Sequence, residues 1–211
     1  MIKLYRPTDF TPWAGNFYVA CSGGVDSMAV LHFFVKGGRK PFVMHVDHGT
    51  GNTKATEVVE DYCRDNGLEL HIKTINTERL DGDSQEEHWR KERMIHFNWP
   101  GVPPVITGHN LSDAMETWVF GSLNGQPKLI PYNTLNVYRP FLLNAKDELK
   151  EFAVQHGLVW HDDPSNEDVK YNRNRIRHNI IPEALKVNSG FGTMIRKRYI
   201  KLVDRDDLEW L

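Results

Sequence analysis

Residues 19–31 read VACSGGVDSMAVL, and the six residues between the two apolar flanks, Ser22 to Ser27, are of types that can do chemistry. Glycines let the backbone approach a ligand closely, and the free amides at a helix start attract an anion. The common phosphate loop follows the pattern G-x-x-x-x-G-K-[ST], but no lysine occurs here before Lys36. Asp26 alone would repel a phosphate. With Mg²⁺ between them it would not, because a hard cation takes carboxylate and phosphate oxygens together. The plainer alternative is a tight strand-to-helix turn with Asp26 as its N-cap.

Two further polar stretches carry similar residue types. His45-Val46-Asp47-His48-Gly49 holds two histidines and an aspartate. His45 and Asp47 fall on one face of a strand and His48 on the other, so the stretch reads as the lip of a polar pocket more readily than as a metal site. In Gly108-His109-Asn110-Leu111-Ser112-Asp113-Ala114-Met115-Glu116-Thr117, Asp113 and Glu116 are spaced i, i+3. Both carboxylates then share one helix face, with Ser112 as a candidate N-cap. The helix dipole alone also favours acids in a first turn.

Each polar stretch follows an apolar run of strand type. Residues 17–21, 41–46 and 105–107 are short apolar runs, and Leu68, Leu70 and Ile72 alternate with polar residues. Helical spacing or capping signals occupy 26–35, 54–66 (stopped by Gly67), 84–97 (opened by the S-x-x-E pair Ser84 and Glu87), a segment from about 112, and one that Asn144 can cap and Gly157 stops. Strands alternating with helices predict an α/β fold, a doubly wound, mostly parallel sheet with helices on both faces. Ligands then bind at the carboxyl ends of the strands, where all three polar stretches lie. The expected organisation is a catalytic domain over 1–182 and a basic helical tail over 183–211.

Composition narrows the classes further. Forty percent apolar residues among 211 supply a sizeable core. No run reaches the length of a signal peptide or a membrane span, so a cytoplasmic location without membrane association is expected. Cys21 and Cys63 form no metal-type spacing and read as buried thiols. The net charge is only −2, yet Lys170 to Lys201 carries nine Lys/Arg against the single acid Glu183, leaving the remainder at −10. That asymmetry is an electrostatic footprint for a polyanion, or a solvated basic face. No exposed apolar stripe forces a homodimer, although a compact one is compatible with the sequence.

Taken together, the motifs resemble a known family. SGGVDS resembles the SGGxDS signature of the N-type ATP pyrophosphatases. HVDHG (45–49), the helix with Arg90 and Arg93, GHNLSDAMET (108–117), RPFL (139–142) and GLVWHDDPSNEDVKYNRNRIRHNIIP (157–182) follow in the order of the tRNA(Ile)-lysidine synthetase family. Asn110 and Ser112 stand where that family usually has a His and an Asp, and GSLNGQPKLI replaces its Arg-Gly segment. The chain is expected to be a catalytic-domain-only form.

The resemblance implies adenylation of a tRNA wobble cytidine by ATP with Mg²⁺, then displacement of AMP by free lysine. It implies Ser22, Gly23, Gly24, Val25 and Ser27 at the phosphates and Asp26 at the metal. His45, Asp47 and Gly108 fall in the nucleotide set, with His109 near the α-phosphate. Asp113 is implied as the group that binds the lysine ammonium and takes its proton, with Glu116 beside it. Arg173 and Arg177 are implied at ATP or the tRNA backbone, with Asn174 and His178 in the same substrate-binding run. Pairing of those arginines with Asp162, Asp163 and Asp168 is the structural alternative.

Overall fold

The structure, a computed structural model, describes residues 2–6, 11–49, 53–79, 81–82 and 84–203, with the backbone alone at Glu86, Ser165, Asn166 and Val203. The chain runs β1 (Tyr18–Ala20), α1 (Val25–Lys36), β2 (Phe42–Asp47), α2 (Lys54–Asn66), β3 (Leu70–Thr74), α3 (Gln85–Phe97), β4 (Val105–Ile106) and α4 (Leu111–Leu123). A short hairpin, β5 (Asn133–Thr134) and β6 (Val137–Tyr138), leads to α5 (Lys146–Gln155). A 3₁₀ turn at Pro164–Glu167 precedes α6 (Asn172–Arg175), a π-helical turn at Ile176–Ile180, α7 (Ile181–Val187) and α8 (Phe191–Val203).

The strands form one sheet in the order β3-β2-β1-β4-β6-β5, parallel except where β5 meets β6. The order reverses at β1, with β2 on one side and β4 on the other. A crevice therefore opens at the carboxyl ends of β1 and β4, where doubly wound sheets bind ligands. Val19 pairs with Val43 and Ile106, and all three are fully buried. Successive residues of β1 face opposite layers, as the period of a strand requires. Val19 packs with α1, α2 and α5, whereas Tyr18 packs with Phe97 of α3.

Two sequence expectations are corrected. Ile72 is 39 % exposed, because β3 is an edge strand and its alternating face is only partly covered. Asn144 does not cap α5; Ala145 takes the N-cap position, its amide donating to Glu148 Oε2 at 2.7 Å. Asn144 is instead buried, donating to the Lys3 and Phe141 carbonyls and accepting from the Lys3 amide. It stitches the amino-terminal segment to the sheet.

A boundary at residue 182 falls inside α7, and α8 packs within the body of the fold. Phe191, Ile195 and Tyr199, spaced i, i+4, i+8, are buried with Leu111, Ala114 and Met115 of α4. Residues 204–211 of the expected tail lie outside the described residues. No helix among the described residues is long and apolar enough to cross a membrane.

Phe141 is completely buried, its ring 5.5 Å from Phe33 and 6.0 Å from Phe34. Phe141→Ala should cost about 3–5 kcal/mol through lost transfer energy and a residual cavity. Urea denaturation should show a lower midpoint with little change in slope.

Candidate functional site

The loop after β1 has its shape because only glycine fits. Gly23 has φ +81°, and a Cβ there would sit 2.6 Å from the Ala55 carbonyl oxygen of α2. Gly24 is the N-cap of α1 in extended geometry and offers no side chain, so no side chain caps the first amides of the helix. Ser27 is buried: its hydroxyl donates to the Gly24 carbonyl at 2.9 Å, accepts from the Ser22 amide at 3.1 Å and lies 3.2 Å from Ser22 Oγ. It braces the loop from within, and Ser22 is the hydroxyl on the exposed rim. The downstream run closes onto the loop through His161, whose amide donates to the Gly23 carbonyl at 2.9 Å.

Gly108 brings the second wall in. A Cβ at that position would lie 3.3–3.4 Å from backbone atoms of Asp26 and Ser27, so the end of β4 rests on the first turn of α1. Asp26 follows the cap and does not serve as one, so Gly24 and not Asp26 caps this turn. Its Oδ1 is buried with no hydrogen-bond partner. Burial pushes the Asp26 carboxyl up to about 6, with Asp113 and Glu116 adding to the rise and Lys146 and Arg177 opposing it.

An acceptor left buried and unpaired is costly, and a divalent cation would satisfy it. No cluster of three His, Cys, Asp or Glu among the described residues could hold a metal alone. The donor set therefore fits a magnesium ion that takes one carboxylate and completes its shell with phosphate oxygens and water.

Helix α4 supplies the opposite carboxylates. Asn110, not Ser112, is its N-cap: Asn110 Oδ1 accepts from the Ser112 amide, and the Asn110 amide donates to Asp113 Oδ2, both at 2.9 Å. Asp113 thus has one oxygen in the cap and the other 3.6 Å from Arg177 Nη2, with a quarter of its side chain exposed. Glu116 is 1 % exposed and receives Arg177 on both oxygens, Nε at 2.5 Å and Nη2 at 3.0 Å. Burial raises the Glu116 carboxyl, and Arg177 opposes the rise. In this structure the buried pair occupies both Glu116 oxygens. Arg177 pairs with α4 and not with the acids at 162–168.

His109 lies at the end of β4, its Nδ1 2.8 Å from Thr107 Oγ1. Burial, assisted by Arg139, Arg173 and Arg93 and opposed by Asp113, lowers its pKa to about 4. The imidazole is therefore neutral at pH 7, a hydrogen-bonding group among arginines.

The remaining expected residues divide into those near the crevice and those beneath it. His45 is buried, with Nδ1 2.8 Å from the Cys21 carbonyl and Nε2 3.0 Å from Thr56 Oγ1. Both nitrogens are engaged, and His45 supports the loop. Asp47 Oδ1 accepts from the Gly49 amide at 2.9 Å and shapes the turn after β2. His48 stacks on Trp89 at 4.5 Å, and burial, with Arg93, depresses its pKa to about 4. Asn174 is buried and donates to the Asp168 carbonyl at 3.0 Å. His178 Nε2 lies 4.0 Å from Glu167 Oε2.

Three groups were missed by sequence reasoning. Lys146 is the largest influence holding down the Asp26 pKa, Thr107 orients His109, and Arg139 is buried on the Pro131 carbonyl and Thr134 Oγ1. Arg139 was legible as part of RPFL; Lys146 and Thr107 carried no signal.

Residues 3–184 match the PP-loop domain family. The chain is 30 % identical over 194 residues to the tRNA(Ile)-lysidine synthase of Aster yellows witches'-broom phytoplasma, covering 86 % of this chain and 44 % of that protein. It is 31 % identical over 190 residues to that of Staphylococcus aureus strain MRSA252, covering 79 % and 43 %. The chain thus spans less than half the length of these curated relatives. Among solved structures, the U34-tRNA thiolase NcsA from Methanococcus maripaludis, with its [4Fe-4S] cluster, superposes with a TM-score of 0.71 at 18 % identity. That match covers 93 % of this chain and 76 % of the other, and shows the shared fold.

Two outcomes follow from the site electrostatics. Because folding raises the Asp26 pKa, ionising it costs stability: the cost is absent below the unfolded value near 4 and complete above about 6. Asp26→Asn should therefore stabilise the ligand-free protein at pH 7 by roughly 2 kcal/mol and change little at pH 3.5, as read by denaturation at both pH values. Removing the charge of Arg177 strands Glu116. Arg177→Met should cost about 3–5 kcal/mol, and the double variant Arg177→Met/Glu116→Gln should recover part of that loss. A double-mutant cycle by chemical denaturation measures the coupling.

Proposed function

Since this chain belongs to the PP-loop domain family, we propose that it is an ATP-dependent, AMP-forming ligase that joins free lysine to the wobble cytidine of a tRNA with a CAU anticodon. The observation that carries the reading is the unpaired, buried Asp26 Oδ1 at the glycine loop, facing the Asp113 and Arg177 side of the crevice. The names of the relatives support the choice of tRNA and lysine.

Ser22 and the amides of Gly23, Gly24 and Val25 hold the β- and γ-phosphates at the start of α1. Asp26 would hold Mg²⁺, which when bound would supply positive charge beside the pyrophosphate. In the first step the cytosine O2 attacks the α-phosphorus, and the bond from phosphorus to the bridging oxygen of pyrophosphate breaks. Arg177, gripped by Glu116, presents a fixed cation to the α-phosphate, and Arg173 adds to the field. Neutral His109 offers a hydrogen bond to the same group. Such preplaced charge stabilises the transition state because it needs no reorganisation.

In the second step the lysine ε-nitrogen attacks C2 of the base, and AMP leaves with the former O2. Free lysine is an ammonium at pH 7, so a group must bind it and accept its proton. Asp113 fills that role, with its Oδ2 fixed by the helix cap and its other face toward the crevice.

Thiolation, the reaction in the name of NcsA, finds no support in the cysteines. Cys21 and Cys63 are buried, and burial raises both thiols, Cys63 to about 12. A reactive or cluster-binding cysteine needs its thiolate.

The test is a nucleoside digest of CAU-anticodon tRNA incubated with protein, ATP and labelled lysine. Label should enter one modified nucleoside only when ATP is present. Asp113→Asn should still release pyrophosphate and lose at least a hundredfold in lysine transfer. Pyrophosphate release with other amines but never lysine would replace this reading with a different ligase; no release under any condition would refute it.

A further inference from the structure

We propose that the groove between the Asn188–Gly190 turn and the outer face of α8 is a second RNA contact. It would bind the sugar–phosphate backbone of the tRNA away from the reacting base, and the identity of that RNA rests on the function proposed above. Helix α8 has two opposed faces. Phe191, Ile195 and Tyr199 are buried, and Tyr199 is tied down from both ends, its hydroxyl donating to the Ile130 carbonyl and its carbonyl accepting from Tyr5 Oη. Thr193, Lys197 and Lys201 occupy the other face and, with Asn188 and Arg198, line a groove of about 670 Å³ that has no acidic residue in its lining among the described residues.

Four other cations of the basic run are paired with carboxylates. Lys170 pairs with Asp168, Arg177 with Glu116, Lys186 with Glu183, and Arg196 with Glu148. Among the described residues none of Lys197, Arg198 and Lys201 has such a carboxylate partner. Arg198 is nevertheless held in place, its guanidinium 4.3 Å from the centre of the Trp118 ring and its Nε 3.1 Å from Met194 Sδ. A fixed guanidinium binds phosphate at lower entropic cost than a free one. Lys197 and Lys201 are one helical turn apart, about 6 Å along the axis, so the face offers charge at regular intervals.

The occupant is assigned by charge complementarity. A groove of one sign concentrates a polyanion, and a repeating row of unpaired cations suits a phosphate backbone. The groove also belongs to the rigid body that carries the site. A Cβ at Gly192 of α8 would lie 3.4 Å from both Leu111 Cδ2 and Met115 Sδ of α4, the helix whose first turn presents Asp113.

The experiment measures tRNA binding by the full chain across a salt series. It compares the parent, the variant Lys197→Gln/Arg198→Gln/Lys201→Gln, and a control carrying Lys40→Gln and Lys150→Gln. The triple variant should lose at least tenfold in affinity near 0.1 M salt, and its slope of log K against log salt should shrink by about 2–3. ATP affinity and the turnover rate at saturating tRNA should remain unchanged, while the KM for tRNA rises. An unchanged slope in a natively folded triple variant overturns the inference, as does an equal loss in the control. A change of oligomeric state without a change in RNA binding also overturns it, in favour of a contact between copies. The two readings fail separately. Groove-dependent tRNA binding without lysine transfer refutes the proposed reaction alone, and normal transfer with normal affinity in the triple variant refutes the groove alone.

Discussion

The bidentate pair between Glu116 and Arg177 joins two parts of the chain 61 residues apart, on a carboxylate that is 1 % exposed. Burying two charges is favourable only when each finds its counterpart in good geometry. The segment 172–187 therefore has one place to stand against α4. Arg177 lies in a π-helical turn, a local widening that often accompanies functional positions. With the guanidinium anchored, Asp113 gains a neighbouring cation, and Asp26 lies within reach of the same field. Losing the pair would release the carboxyl-terminal helices and empty the crevice of its fixed positive charge.

A second constraint is steric. Gly23 lies against α2 closer than a side chain would allow, and Gly108 lies against the first turn of α1 with little room for one. Those contacts bring α2, the loop after β1 and the end of β4 together. Ser27, His45 and His161 then hold the loop from below and behind. The shape of the loop is thereby settled before any ligand arrives. Its unsatisfied element is Asp26, held in a surrounding that disfavours its charge. Such local cost at a site is tolerated where a ligand repays it.

Much of this was readable from residue types and spacing. Short apolar strands ending in polar loops specified the parallel sheet and the location of the crevice, because strand and helix periods are local properties of the chain. The hairpin β5–β6 was not readable, since its strands have two residues each and no alternation to detect. Ser112 drew attention as a cap, yet Asn110 takes the position; both are good capping types, and the backbone geometry chose between them.

By itself the sequence determined the glycine loop, the order of strands and helices, and the presence of carboxylates and arginines suited to nucleotide chemistry. These depend on neighbours a few residues apart. Tertiary structure alone decided which charges are spent on each other and which remain available. Glu116 and Asn174 were drawn inward, Lys146 was brought toward Asp26, and Lys197, Arg198 and Lys201 line a groove without acidic partners among the described residues. The physical reason is that the worth of a charge depends on burial and on partners distant in sequence, and neither is encoded in local spacing.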